Sequence, residues 1–132
     1  MPAASPATLQ AAQAAFADFT TGLAKGDWQP FLDRVSDDVA FWFPAGPCKG
    51  HNQGKAKLAA FLTAVPKVFA GGLTVAVVQI TSSDTTVVFE VRSTGTMGGE
   101  PYENQAAIAF DIRDQQICAY REYLGVIFQL GH

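Results

Sequence analysis

Positive charge is scarce in this chain: nine lysines and arginines stand against twelve acids in 132 residues, a net charge of −3. The nine are scattered, so no cluster exists to neutralise a row of phosphates, and nucleic acid is not an expected partner. Cysteine is nearly absent. Cys48 and Cys118 stand alone, without the paired spacing of a zinc or redox site, and read as structural thiols of a reducing, cytoplasmic compartment. No segment approaches the ~20 unbroken apolar residues needed to cross a bilayer, so no membrane partner is expected. The opening "MPAASPATLQAAQAAFADF" lacks the basic start and continuous apolar run of a signal peptide, because Gln10, Gln13 and Asp18 interrupt it. There is no phosphate-cradling glycine loop and no histidine cluster, so neither metal nor nucleotide cofactor is expected. His51 is alone in its loop and has no second ligand.

What is abundant is phenylalanine. Ten of them sit in a chain that is 48% hydrophobic and only 16% charged, the composition of a packed globular protein with an aromatic interior. One composition regime over residues 1–132 implies a single domain, with its core at about 8–125.

Ser5 followed by Pro6 predicts a helix start. Leu9, Ala12, Phe16, Phe19 and Leu23 then recur at helical spacing up to a stop at Gly26. Asp27 begins a second short helix through "WQPFLDRV", and "SDD" at 36–38 reads as a turn. Val39, Phe41 and Phe43 alternate as a strand, and "GPCKGHNQG" has the composition of a loop. A third helix runs from Lys55, with a break or kink expected at Pro66, to Gly71 and Gly72. Four strands follow, Leu73 to Ile80, Thr86 to Met97, Tyr102 to Arg113 and Ile117 to Phe128, joined by connections short enough for an antiparallel meander. Helices first and a meander last predict an α+β domain. A curved antiparallel sheet wraps around N-terminal helices and forms a cone with an internal apolar pocket.

Three strings carry a resemblance: "GDWQPFLDRVSDDVAFWFP", "GKAKLAAFL" and "YENQAAIAFDIRDQQICAYREYLG". With their order of elements they resemble the SnoaL-like group of the nuclear-transport-factor-two-like superfamily, which also holds ketosteroid isomerase. The resemblance runs from about Ala15 to Gly125. It implies the cystatin-like cone and a dimer packed through the outer sheet face. It does not imply one reaction, because the superfamily spans isomerases, cyclases, hydrolases, dehydratases and binding modules. Ketosteroid isomerase works with an aspartate base and an oxyanion hole of a tyrosine and a protonated aspartate. The matching positions here are Phe43, Phe19 and Ile108, so the resemblance does not carry that chemistry over.

Matching the last strand to that enzyme sends Tyr120, Glu122 and Leu124 inward and Arg121 and Tyr123 outward, whereas a slip of one residue would exchange the sets. Asn104, Ala106, Ile108 and Phe110 form the inward row of the preceding strand, and Phe89, Val91 and Ser93 that of the strand before it. The expected pocket wall is therefore Phe19, Phe41, Phe43, Leu62, Phe89, Val91, Ser93, Asn104, Ile108, Phe110 and Leu124. Glu122 and Tyr120 are the candidate catalytic residues. A desolvated Glu122 has a raised pKa, suited to taking a proton next to a carbonyl, with Tyr120 or Asn104 donating to the enolate oxygen. Glu122 is also open to a structural role, hydrogen-bonded to a Tyr or Asn or paired with Arg121 of its own or a partner chain. On the outer face, Ala107, Ala109, Ala119 and Tyr123 among Arg92, Glu103, Arg113 and Arg121 make a mixed surface for a homodimer.

Two function classes follow. One is a cofactor-independent isomerase or polyketide-cyclase-type enzyme for a small hydrophobic, carbonyl-bearing ring compound. The other is a non-catalytic ligand-binding or dimeric assembly module.

Overall fold

The structure, a computed structural model, describes residues 3–125. Helix α1 spans Pro6–Lys25. Its start follows from local chemistry: the Ser5 hydroxyl accepts the Thr8 backbone N–H at 3.1 Å, and Pro6 occupies the first turn. Gly26 ends it in the left-handed region at φ 78°, which a side chain would resist. The apolar stripe of α1 buries Ala12, Ala15, Phe16 and Phe19. Gly22 continues that stripe because the Trp28 ring lies against it, where a Cβ would come within 2.3 Å. Trp28 precedes the one-turn helix α2, Gln29–Leu32, and anchors it to α1.

Strand β1 covers Val35–Phe43 and so includes residues 36–38, expected as a turn. Long-range pairing overrides the local preference: Val35 lies beside Ile117 and Ala40 beside Ala119, and an irregularity between them takes up the extra residues. Within the stretch expected as loop, Gly50–Gln53 form β2, which folds back antiparallel on β1 with Asn52 opposite Phe41. Helix α3 spans Lys55–Val68 with Pro66 inside its last turn. Strands β3 (Leu73–Ser82), β4 (Thr86–Met97), β5 (Glu100–Arg113) and β6 (Gln116–Gly125) form the meander. The expected extension of the last strand to Phe128 lies outside the described residues.

The expected four-strand meander is part of a six-stranded, unclosed sheet in the order β2-β1-β6-β5-β4-β3. Only β1 and β6 run parallel. The last strand is thus inserted between β1 and β5, so its inward residues sit near the middle of the sheet. Its register places Tyr120 opposite Phe110, Glu122 opposite Ile108 and Leu124 opposite Ala106, all on the face toward the helices. Arg121 and Tyr123 point the other way.

The aromatic residues fill the space between α1 and the sheet. Phe16 stacks on Phe89 with centroids 4.1 Å apart, and Phe19 meets Trp28, Phe31, Phe110 and Tyr120 edge-on. Such contacts add to area burial through the ring quadrupoles. No helix among the described residues is long and apolar enough to cross a membrane.

Candidate functional site

Tyr120 and Glu122 share the inner face because strand side chains alternate with a period of two. Two residues apart on β6, they meet directly: the Tyr120 hydroxyl donates to Glu122 Oε1 at 2.5 Å. Tyr120 is only 2% exposed and its ring is wedged edge-on between Phe19 and Phe110. Glu122 is partly buried, with Ile108 beside it on β5. On β1, Trp42 lies beside Arg121, so the next residue, Phe43, flanks Glu122.

Every other Asp or Glu among the described residues is exposed or, like Asp18 and Asp111, paired with an arginine. Glu122 has no cation. Burial pushes its carboxyl up from 4.5 to about 7, with the Tyr120 hydrogen bond pulling weakly the other way. Burial, reinforced by the Glu122 charge and hydrogen bond, raises the Tyr120 phenol well above its ordinary 10. The pair therefore has one proton site that titrates near neutrality and one fixed donor. One carboxylate oxygen is held by Tyr120, which leaves the other to accept a proton.

The remaining expected wall residues fall into two groups. Phe19, Phe41, Leu62, Phe89, Ile108 and Phe110 are at most 2% exposed and form the packed interior. Phe43, half-buried, packs against Phe61 with the rings tilted and their centroids 4.7 Å apart, and Phe61 also meets Phe41 at 5.8 Å. Val91, Ser93, Asn104 and Leu124 lie toward the other end of the inner face. A recess of about 770 Å³ at that end of the sheet is lined by Ser93, Tyr102, Asn104 and Leu124 from the inner face and also by Arg92, Thr94, Glu103 and Gln105, which alternate to the outer one. Among the described residues, Glu122 and Tyr120 do not line it. The positions that would hold the ketosteroid isomerase groups are filled by apolar side chains, with Phe19 and Ile108 1% and 2% exposed.

Three interior residues were not singled out for the site from the sequence. Asn52 is 8% exposed on β2 and donates to the carbonyls of Cys48 and Gly50; its loop-like surroundings gave no signal. Tyr102 accepts from the Asn104 amide, a pairing that the period of two could have suggested. Phe61 carried a core signal only, through its helical spacing.

The outer face is different in kind. Arg121 binds Asp111 through two hydrogen bonds of 2.8 and 2.9 Å, and Arg113 reaches Asp38 at 2.8 Å. Burial pulls the Asp111 carboxyl up, but the Arg121 and Thr86 hydrogen bonds outweigh it and hold the group below its ordinary range. Trp42 packs against Tyr123 with centroids 5.2 Å apart. A groove of about 350 Å³ runs past Val78, Arg92, Ala107 and Tyr123. No three His, Cys, Asp or Glu side chains converge as a metal site among the described residues.

The SnoaL-like domain model matches residues 16–120, which take in the second half of α1, the elements from α2 to β5 and the Tyr120 half of the pair. The chain belongs to the SnoaL-like domain family. It is 44% identical to an NTF2-like protein from Anabaena variabilis, with 96% of each chain covered and a TM-score of 0.90. A candidate SnoaL-like polyketide cyclase from Jannaschia shares the fold at 20% identity, covering 91% of this chain and 88% of that one with a TM-score of 0.77. So does an LEH-like epoxide hydrolase from M. tuberculosis, at 18% identity, 90% and 83% coverage and a TM-score of 0.68. No functionally curated protein matches the chain significantly.

Proposed function

We propose that this SnoaL-like protein is a cofactor-independent acid–base catalyst for a small hydrophobic ring compound bearing a carbonyl. Glu122 is the proton acceptor and Tyr120 its positioning residue. The observation that carries this reading is the uncompensated carboxyl on the apolar inner face, poised at about 7, since a base near the working pH combines availability with driving force. Its carboxylate takes a proton from the carbon next to the carbonyl. The C–H electron pair becomes the enolate, and Glu122 returns the proton to another carbon of the same substrate; or the enolate carbon attacks a second carbonyl within it, whose π electrons go to its oxygen, and Glu122 returns the proton to that alkoxide. The likeness to a candidate polyketide cyclase supports this class by analogy of fold alone. The same reading includes a homodimer through the outer face and, with both cysteines free, a cytoplasmic workplace.

The direct test is deuterium exchange at the α-carbon of 1-tetralone in D2O, followed by NMR. Wild type should exceed buffer, and Glu122→Gln should lose about a hundredfold or more of that excess. Tyr120→Phe removes the bond that restrains the Glu122 pKa, so its pH–rate profile should move to higher pH. Exchange no faster than buffer would sink the catalytic reading.

A second reading, a ligand-binding module without chemistry, is favoured by one observation: the recess is lined by Ser93, Asn104 and Leu124 and not by Glu122. Ketone binding without exchange would select it.

A further inference from the structure

The two edges of the open sheet are built differently. At one edge β2 has four residues, Gly50–Gln53, and lies between Lys49 and Lys55. Short edge strands and lysines are how native sheets keep further strands from adding to them. At the other edge β3 has ten residues, "LTVAVVQITS", with no charge and no proline. Nothing among the described residues pairs with its outer side.

The same strand is uncovered on both faces. From Ala76 to Thr81 every residue is exposed, although cross-strand pairing puts Val77 and Ile80 on the inner face, opposite Val91 and Phe89. Val77 is 45%, Val78 62% and Ile80 37% exposed. Val77 lies opposite Val91 and Gln79 opposite Glu90, which leaves Val78 as a bulge. A bulge hinders the addition of a strand without forbidding it, whereas a charge at this edge would repel one.

A strand that adds here must be extended, neutral and apolar, and β3 itself answers that description. A two-fold axis beside the edge sets two copies of β3 antiparallel. Neither copy then places a charge opposite a like charge, which matters in a chain of net charge −3. The ends of the strand are also complementary. Lys67, in the last turn of α3, precedes β3 and Asp84 follows it, both exposed. Antiparallel pairing brings the Asp84 end of each copy to the Lys67 end of the other, so the attraction operates twice. Ten residues so paired share about ten backbone hydrogen bonds, roughly the number in a typical specific interface.

We propose that the β3 edge is a self-association surface, at which a second copy of this chain pairs through its own β3, antiparallel about a two-fold axis, and continues the sheet from one protomer into the next. The contact is separate from the outer-face dimer and owes nothing to the chemistry at Glu122. The Val78 bulge keeps it weak, so it forms well above micromolar concentration.

The experiment is sedimentation equilibrium of Tyr123→Lys, which takes the outer face out of play, from about 20 μM to about 1 mM. The mass should rise from the 14.0 kDa of one chain toward twice that value and level off there. Adding Val77→Lys charges the edge on the inner face, away from Tyr123, and should hold the mass at one chain throughout. A mass of one chain at every concentration of Tyr123→Lys overturns the proposal and leaves the edge to a strand of another protein. A larger mass that Val77→Lys does not lower overturns it too. So does growth past two chains without a plateau, which is open-ended stacking and not a closed pair. Should the double variant fail to fold, hydrogen exchange of Tyr123→Lys decides. Alternate amides between Ala76 and Thr81 should exchange about threefold or more slower at the higher concentration, and equal rates overturn the pairing.

Discussion

Replacing Glu122 with Gln removes the unpaired interior carboxyl while keeping its shape and an oxygen that accepts from Tyr120. The folded carboxyl holds its proton up to about 7, against an ordinary value of 4.5. At ~1.4 kcal/mol per pH unit this corresponds to about 3 kcal/mol when the group is fully ionised. Partial exposure of the residue trims that to about 2–3 kcal/mol. Because the folded state binds the proton more tightly than the unfolded chain, ionisation favours unfolding. The wild type therefore loses stability as pH rises from 4.5 to about 7 and pays a constant penalty above that. The Gln variant has no such slope. At pH 5 the variant should be ahead by less than about 1 kcal/mol, since the folded carboxyl is still neutral and only the unfolded one has begun to ionise. At pH 8.5 the variant should be more stable, by about 1–2 M in midpoint for a typical urea dependence. All other titrating groups are common to both proteins and cancel in the difference. A gap between variant and wild type that stays constant from pH 5 to 8.5 would refute the reasoning, as would a carboxyl resonance of Glu122 titrating near its ordinary value.

Other substitutions test other parts of the argument. Gly22→Ala puts a methyl within 2.3 Å of a Trp28 ring already held by Phe19 and Phe31; it should cost about 2–3 kcal/mol in thermal unfolding, as overpacking does, and an unchanged midpoint would mean the ring yields freely. Gln115 sits at φ 61° in the two-residue turn between β5 and β6, so Gln115→Gly should stabilise by about 0.5–1 kcal/mol, and a loss of stability in urea would contradict the turn geometry. Tyr123 is 48% exposed on the outer face. Light scattering should give twice the 14.0 kDa chain mass for wild type and the monomer mass for Tyr123→Lys; a wild-type monomer at micromolar concentration rules the dimer out.

The local devices of this fold were legible because they depend on neighbours in the chain. Ser5 and Pro6 start α1 and Gly26 stops it. Gly98 and Gly99 supply the two positive-φ residues between β4 and β5, and the period-two pattern put Tyr120 and Glu122 on one face before any partner was known. The strand assignment of residues 36–38 and of Gly50–Gln53 was not legible in the same way. Their own propensities favour turn and loop. Residues 36–38 lie in the irregularity between the Val35–Ile117 and Ala40–Ala119 pairs and are carried in the strand by those flanking pairs, whereas Gly50–Gln53 are held extended by pairing with residues 40–43.

The sequence alone thus determined the class of fold, the ends of α1, the alternation of β4, β5 and β6 and the aromatic character of the core, all consequences of spacing and backbone preference within a few residues. α2, expected from Asp27 through Val35, is the single turn Gln29–Leu32, and α3 runs past Pro66 but stops at Val68. Tertiary structure decided the rest. It inserted the last strand between β1 and β5, raised the Glu122 pKa by burying it beside Phe43 and Ile108 with no cation among the described residues, and left Asn104 Oδ1 buried with no donor among them. The reason is that desolvation and hydrogen-bond satisfaction are properties of a site's whole surroundings, and those surroundings come from residues far apart along the chain.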